Sequence, residues 1–393
     1  MAADDEMTIA ERRKYLKKQR TRYRRANRAE KGRLLSEMET VTGLHRKSLV
    51  RLLNQENLSR QPARTRRGRT YGAEVEQVIV VVWESLDYVC ADRVQPQLLA
   101  TAQHLAGFGE VHLTPQIEAQ LERISVATVQ RLLHRHRRPP RRLPQKGPEA
   151  ANRLRQAVPM QRIPWDTAEP GHFEVDLVHH AGGSAAGEYG HTLQLIDVAT
   201  GWSERVALLG RSQAAMATAF RQVLDRLPFP VLELHPDNGS EFFNAHLQRL
   251  FDDRLPTLVR SRSRPYRKND NRFVEQKNAT LVRAYLGHHR LDTAEQIAAL
   301  NALYDQLWVY YNLFQPVLRL KEKRIIDGKT RRVWDPAQTP YQRLLATGML
   351  TIEQQGRLGQ WYASTNPRRL RREIDAALID LWHDCQPDRL AAD

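Results

Sequence analysis

Cysteine is nearly absent from this chain of 393 residues: only Cys90 and Cys385 occur, far apart in sequence. No disulfide framework can be built from them, so a reducing cytoplasm is the expected compartment. Long apolar runs are missing too. The most apolar stretch, Val78-Ile-Val-Val-Val-Trp83, is far too short to span a membrane. The N-terminus is acidic and then basic where a signal peptide needs an apolar segment. A phosphate-binding Gly-x-x-x-x-Gly-Lys motif does not occur, so no nucleotide cofactor is expected. His134 and His136 lack further ligands at suitable spacing and read as phosphate contacts or solvated side chains. Acid is the scarcer charge, with 45 Asp+Glu against 61 Lys+Arg and a formal net charge of +16. That balance favours a polyanionic partner, and nucleic acid is the usual one. A cytoplasmic, nucleoid-associated protein that faces DNA and not a membrane is the expectation.

The chain is too long for one core, and its punctuation divides it. Residues 1–58 read as an N-terminal helix-turn-helix module. In it, 8–33 is a charge-dense lead segment held mainly by its partner, 31–40 a helix, Gly43 a turn and 44–53 a second helix. His45, Arg46, Lys47, Ser48 and Arg51 lie on its outward face, as in a recognition helix for the major groove; a solvated helical hairpin is the alternative. Residues 59–72 form a basic linker, and 73–137 a second helical module. Its last helix starts at Ser125 and exposes Thr128, Gln130, Arg131 and His134, again in helix-turn-helix fashion. A Pro/Arg-rich linker at 138–165 precedes a core at 166–315, and a basic C-terminal region at 316–393 follows. Within that last region Asp327-Gly328 signals a hairpin, and Pro367 opens a final amphipathic helix for self-association or DNA.

Three acids organise the core. Asp176 sits in the alternating run His172–His180, and Asp237 follows the short strand Val231–His235. Glu275 lies near the start of a run, 272–286, with helical apolar spacing. Two strand acids and one helix acid can converge, and converging carboxylates suit a pair of Mg²⁺ or Mn²⁺ ions, the outline of a phosphoryl-transfer site. Further strands are read at 191–198, 202–209 and 257–260. Helices are read at 213–227, capped by Ser212, and at 240–254. Three hairpin strands, then helix, strand, helix, strand, helix, is the order of a ribonuclease-H-like α/β domain with a five-stranded mixed sheet. Flanked by helical N- and C-terminal regions, the whole is a multidomain α plus α/β protein.

Here the sequence resembles bacterial insertion-sequence transposases with a retroviral-integrase-type catalytic core, whose three acids are called DDE. The resemblance rests on Val175-Asp-Leu177, His235-Pro-Asp-Asn-Gly-Ser-Glu-Phe242 and the run from Pro265 through Glu275 to Asn278. The gaps between the acids, 60 and 37 residues, suit that family. Two departures stand out. Pro236 replaces the small hydroxyl residue more usual before the second Asp, and two cysteines cannot build the N-terminal zinc module of retroviral integrases.

The resemblance implies that Asp176, Asp237 and Glu275 hold two divalent ions, and that the enzyme cuts at element ends. The freed 3′-OH is then joined to target DNA. Double-stranded DNA, both terminal inverted repeats and target, is the implied partner, with a homo-oligomer in the complex. Arg262, Arg264, Arg267, Lys268, Lys277 and Arg283 would position phosphates. The run Arg260–Asp270 has no apolar periodicity and is expected to be mobile until DNA orders it. Among competing polar residues, Glu174 shares a strand face with Asp176 and would support the ligands without replacing one. Asp197 reads as a turn former, Glu241 as a residue favoured by a helix dipole, and His235 as a hydrogen-bonding neighbour of the site. Two other functions stay open: a nuclease of the same fold without strand transfer, and a non-catalytic regulator derived from a transposase.

Overall fold

The computed structural model describes residues 7–55, 70–136, 169–184, 186–236, 240–242, 244–261, 272–326 and 329–384. The chain forms two compact units, Met1–Thr70 and Tyr71–Asp393.

In the first unit, helix α1 (Ile9–Arg25) starts at a capping box in which Thr8 and Glu11 satisfy each other's backbone donors. Asn27 caps α2 (Arg28–Thr42), and Gly43 ends it at φ 67°, the left-handed conformation that favours glycine. Helix α3 (Arg46–Asn54) follows. Leu16 and Tyr23 of α1 are buried against Leu34, Leu35, Met38, Leu49 and Leu53. The lead segment is therefore part of a three-helix core and needs no partner to hold it. Its apolar residues are sparse among the charges, but these two share one face.

The second unit begins with α4 (Ala73–Ser85), α5 (Ala91–Val94), α6 (Leu98–Gly107), α7 (Pro115–Arg123) and α8 (Val126–Leu133) around their own apolar core. Buried hydrogen bonds tie these helices to residues more than 200 positions later. Gln97 Nε2 donates to the Ala337 carbonyl at 2.8 Å, Tyr310 Oη to that of Ser85 at 2.8 Å, and Gln315 Nε2 to that of Leu86 at 2.9 Å. Arg368 bridges Glu84 and Glu110 at 2.8 and 3.0 Å.

The central sheet has the order β3-β2-β1-β4-β5, from β1 (His172–His179), β2 (Gly190–Asp197), β3 (Ser203–Leu209), β4 (Glu233–Pro236) and β5 (Val259–Arg260). β1, β2 and β3 are antiparallel neighbours, while β4 runs parallel to β1 and β5 parallel to β4. This five-stranded mixed sheet has the ribonuclease-H-like order. Helix α9 (Gln213–Arg226), capped by Ser212, and helix α10 (Ala245–Arg254) cover one face. The run 240–254 is not one helix: Ser240–Phe242 is a 3₁₀ turn, and Asn244 starts α10 anew by accepting from the Leu247 N–H at 3.0 Å.

The other face carries α11 (Arg272–Lys277), a π-helical segment Asn278–Arg283, α12 (Ala284–Leu286) and α13 (Ala294–Val309). A second π segment, Tyr310–Phe314, extends α13 and buries Tyr310 and Tyr311. Strands β6 (Leu320–Ile326) and β7 (Lys329–Trp334) form a separate two-stranded ribbon; the Asp327-Gly328 turn itself lies outside the described residues. Helices α14 (Pro340–Ala346), α15 (Ile352–Ser364) and α16 (Pro367–Asp384) complete the unit. No helix among the described residues is long and apolar enough to cross a membrane.

Candidate active site

Period-two alternation sends Glu174 and Asp176 to the same face of β1. Register extends that face across the sheet, with Asp176 opposite Gln194 on β2 and Gln194 opposite Arg205 on β3. Directly opposed residues of antiparallel strands share a face, so these three form a polar row beneath α11 and the π segment.

Asp176 is half-buried, and its two oxygens are held separately. Oδ1 accepts from the Leu177 N–H at 2.8 Å, and Oδ2 accepts from the amide of Asn278. Asn278 is the first residue of the π segment, three positions after Glu275 on the same helical run. Residues three apart are neighbours on a helix surface, and of this pair Asn278 is the one whose side chain reaches β1. Glu275 itself is exposed on α11.

Glu174 is fully buried and accepts from the Val274 N–H at 2.8 Å, which ties the first turn of α11 to β1. Its carboxyl is pushed up to about 8 by burial, against the pull of the Val274 and Phe273 N–H groups. A helix start is an apt place for a carboxyl, because the N–H groups there have no helical partner. Glu174 thus fastens the helix that carries Glu275.

Arg205 is buried with its guanidinium on two main-chain carbonyls, Leu281 at 3.1 Å and Leu307 at 3.2 Å. Tyr304 and Tyr311 present their rings to it at 5.4 and 6.0 Å. Burial lowers its pKa, and the adjacent tyrosines act in the opposite sense. Leu281 lies in the π segment, whose wide turn displaces the regular carbonyl ladder, and Arg205 takes up one of its carbonyls. Gln194 is completely buried and its amide has no hydrogen-bonding partner among the described residues. Further along this face, His180, Thr192 and Tyr304 form a chain with contacts of 2.7 and 2.6 Å. Burial pushes His180 down to about 3 and the Tyr304 hydroxyl up to about 12.

Strand β4 reaches the same end of the sheet. Its last residue, Pro236, pairs in parallel with Val175, the residue before Asp176. Asp237 follows Pro236 in sequence and lies outside the described residues. His235 contacts Ser261 Oγ at 2.6 Å, within a cluster that includes Glu233 and His172. Among the described residues no three His, Cys, Asp or Glu side chains form a metal-holding group, a set from which Asp237 is missing.

Asp197 forms the turn anticipated for it, accepting from Gly171 N at 2.8 Å and from Thr200 N and Oγ1 at 2.7 and 2.6 Å. Glu241 lies 4.0 Å from Arg211, in the 3₁₀ turn and not in an α-helix. A cavity of about 270 Å³, lined by Phe220, Phe242, Phe251 and Arg260 among others, lies on the opposite, apolar face and includes neither Asp176 nor Glu275.

The cations anticipated to hold phosphates divide into groups. Arg262, Arg264, Arg267 and Lys268, with the rest of the run after Ser261, lie outside the described residues. Arg260, which opens the run expected to be mobile and is not one of those cations, pairs with Asp252. Lys277 sits 5.0 Å over the Tyr311 ring. Arg283 donates to the carbonyls of His179 at 2.6 Å and Gly287 at 3.1 Å. In the first unit Arg46 turns back onto α2, donating to Gly32 O and Ser36 Oγ at 3.1 Å each, while Lys47 and Arg51 are exposed. On α8, Arg131 donates to the Thr128 hydroxyl at 2.9 Å, and both remain at the surface.

No family model matches the chain. The uncharacterized protein y4rM of Sinorhizobium fredii is 36% identical over 323 residues, covering 82% of this chain and 91% of that protein. Among solved structures, the catalytic core domain of BIV integrase is similar over 45% of this chain and 95% of that one. Its identity is 19% and the TM-score 0.30, a likeness too loose to bear on activity.

Proposed function

The chain belongs to the family of the uncharacterized protein y4rM, and we propose that it is a polynucleotidyl transferase acting on DNA, of the insertion-sequence transposase kind. The observation that carries this reading is the convergence on one sheet end of Asp176, the α11–π run bearing Glu275 and Asn278, and the strand that leads into Asp237.

The donor set fits a hard divalent cation. Asp176 offers carboxylate oxygens whose orientation Asn278 and the Leu177 N–H already restrict, and Glu275 adds an exposed carboxylate three positions before Asn278. Asp176, Asp237 and Glu275 would hold Mg²⁺ or Mn²⁺, two ions per site. When bound, such ions lower the pKa of an attacking water or hydroxyl and neutralise charge on the leaving oxygen. The chain's own residues supply the positioning: Glu174 fastens α11, Arg205 holds the π segment, and Asn278 limits the rotation of Asp176. Lys47, Arg51, Gln130 and Arg131 are exposed, and Thr128 half-exposed, on the two helices read as DNA-facing. A homo-oligomer on paired element ends belongs to the same reading.

The test uses labelled element ends, a target plasmid and Mg²⁺. Wild-type protein should give joined product; cut product alone would indicate a nuclease, and binding alone a regulator. Asp176→Asn, Asp237→Asn and Glu275→Gln should each lower joining by about 1,000-fold or more, roughly 4 kcal/mol of barrier, with end binding nearly intact. Strand transfer retained in any one of them removes that residue from the site.

A further inference from the structure

The ribbon of β6 and β7 carries a lopsided charge distribution that the proposed chemistry leaves unused. From Leu320 to Trp334 it has six Lys and Arg (Lys321, Lys323, Arg324, Lys329, Arg331 and Arg332) against Glu322 and Asp327. Its register sets Arg324 opposite Arg331, and Lys323 opposite Arg332. Like charges directly across a strand pair are destabilising, and a two-stranded ribbon has little stability to spare. Among the described residues its one ion pair is Arg324 with Glu322. Arg331 and Arg332 are exposed, and consecutive strand residues point to opposite faces, so each face of the ribbon carries positive charge. The apolar side chains do not bury it either: Ile325 is 77% exposed and Trp334 48%.

The base of the ribbon, by contrast, is firmly held. Val317 and Gln338 bridge the two ends, and Asp335 accepts from Arg319 N at 2.7 Å and from Arg343 at 2.6 Å. Arg319 also packs over the Phe273 ring at 5.8 Å, and Phe273 lies two residues before Glu275 on α11. A stiff root beside the helix of the candidate site thus carries a charged blade whose ion pairing, among the described residues, is confined to the blade itself.

We propose that this ribbon is a duplex-DNA-binding element that enters the major groove. This rests on the DNA-directed function proposed above and names a contact surface for it. A major groove about 12 Å wide admits a two-stranded ribbon, and phosphates line both of its walls. Cations on both ribbon faces meet both walls, and the phosphates relieve the cross-strand repulsion. The six- and seven-residue strands extend roughly 20 Å at about 3.4 Å per residue, long enough to follow the groove. Phosphate neutralisation of this kind contributes affinity without reading sequence.

The experiment measures binding of the full chain to a random-sequence duplex, and to one of its single strands, across a salt series. The double variant Arg331→Gln/Arg332→Gln should flatten the log–log salt slope for the duplex by about two, at ~0.9 for each phosphate no longer neutralised. The single strand should show a smaller change. Thermal melting should be unchanged or slightly higher, because repulsion across the ribbon is removed. Arg331→Lys/Arg332→Lys should keep the wild-type slope. If wild-type protein binds the duplex and the Gln variant matches it in slope and affinity, the ribbon proposal is wrong and the DNA-directed function stands. An equal effect on duplex and single strand overturns the groove assignment. Wild-type protein that binds no duplex overturns both.

Discussion

The two faces of the central sheet are both covered by helices, yet they are built on different principles. Under α9 and α10 the sheet contributes Phe173, Val175, Leu177, Leu193, Leu195 and Val206, packed on Met216, Phe220, Val223 and Phe251. Glu204 is a buried acid on that side, and it is fully engaged. It accepts from Arg226 at 2.7 Å and from the indoles of Trp202 and Trp308 at 2.9 and 2.6 Å. Under α11 and the π segment the same three strands contribute Glu174, Asp176, Thr192, Gln194 and Arg205. One face holds the sheet together through apolar contact, and the other holds polar groups in fixed positions at a cost in desolvation. The chemistry proposed at Asp176 needs the second face to be rigid, and the packing of the first face supports that rigidity.

The contrast can be broken first at the apolar face. Phe220→Ala removes a buried aromatic ring and should lower stability by about 3–5 kcal/mol, read by denaturant unfolding. Joining activity per folded molecule should change little, since Phe220 touches none of the candidate site. An activity loss that outruns the unfolded fraction would show that the two faces are coupled and not separable.

Asn278→Ala probes the polar face at the point where it meets the candidate site. Freed of the amide, the Asp176 carboxylate can rotate, and joining should fall by about 10- to 100-fold, or roughly 1.4–2.8 kcal/mol. Melting should shift little, because Asn278 is only partly buried. Activity equal to wild type would show that the contact has no part in placing Asp176.

The smallest effect carries the least intuitive sign. Gln194→Met replaces a buried amide that has no partner among the described residues with an apolar side chain of similar length. Burying an unsatisfied amide costs free energy, so the variant should be more stable by about 1 kcal/mol, seen as a higher Tm. A lower Tm would mean that the amide is satisfied in solution and that the polar row is better knit than its direct contacts indicate.

Much of the fold was legible in the chain because it is written in local patterns. Alternation located β1 to within a residue and put Glu174 beside Asp176, and Ser212 marked the start of α9. The burial of Leu16 and Tyr23 was not legible, because two apolar residues in a highly charged helix make a weak signal. Nor was the restart at Asn244, since helical spacing runs through it unbroken and only the side-chain cap reveals the break. Asn278 closed the run that carries the resemblance and stands three from Glu275, but its contact with Asp176 appears only when β1 lies opposite.

What the sequence by itself determined, then, were the elements, their order, and the face to which each strand residue points. Those follow from backbone geometry and from neighbours a few positions away. Only the tertiary structure decided that Asp176, Gln194 and Arg205 stand in one row, because the row depends on the register of three strands. The tertiary structure alone also decided that Arg205 answers a carbonyl of the π segment 76 residues later, and that Gln97 and Gln315 join the α4–α8 helices to the rest of their unit. A buried polar atom must find a partner wherever the fold brings one, and that place has no fixed distance along the chain.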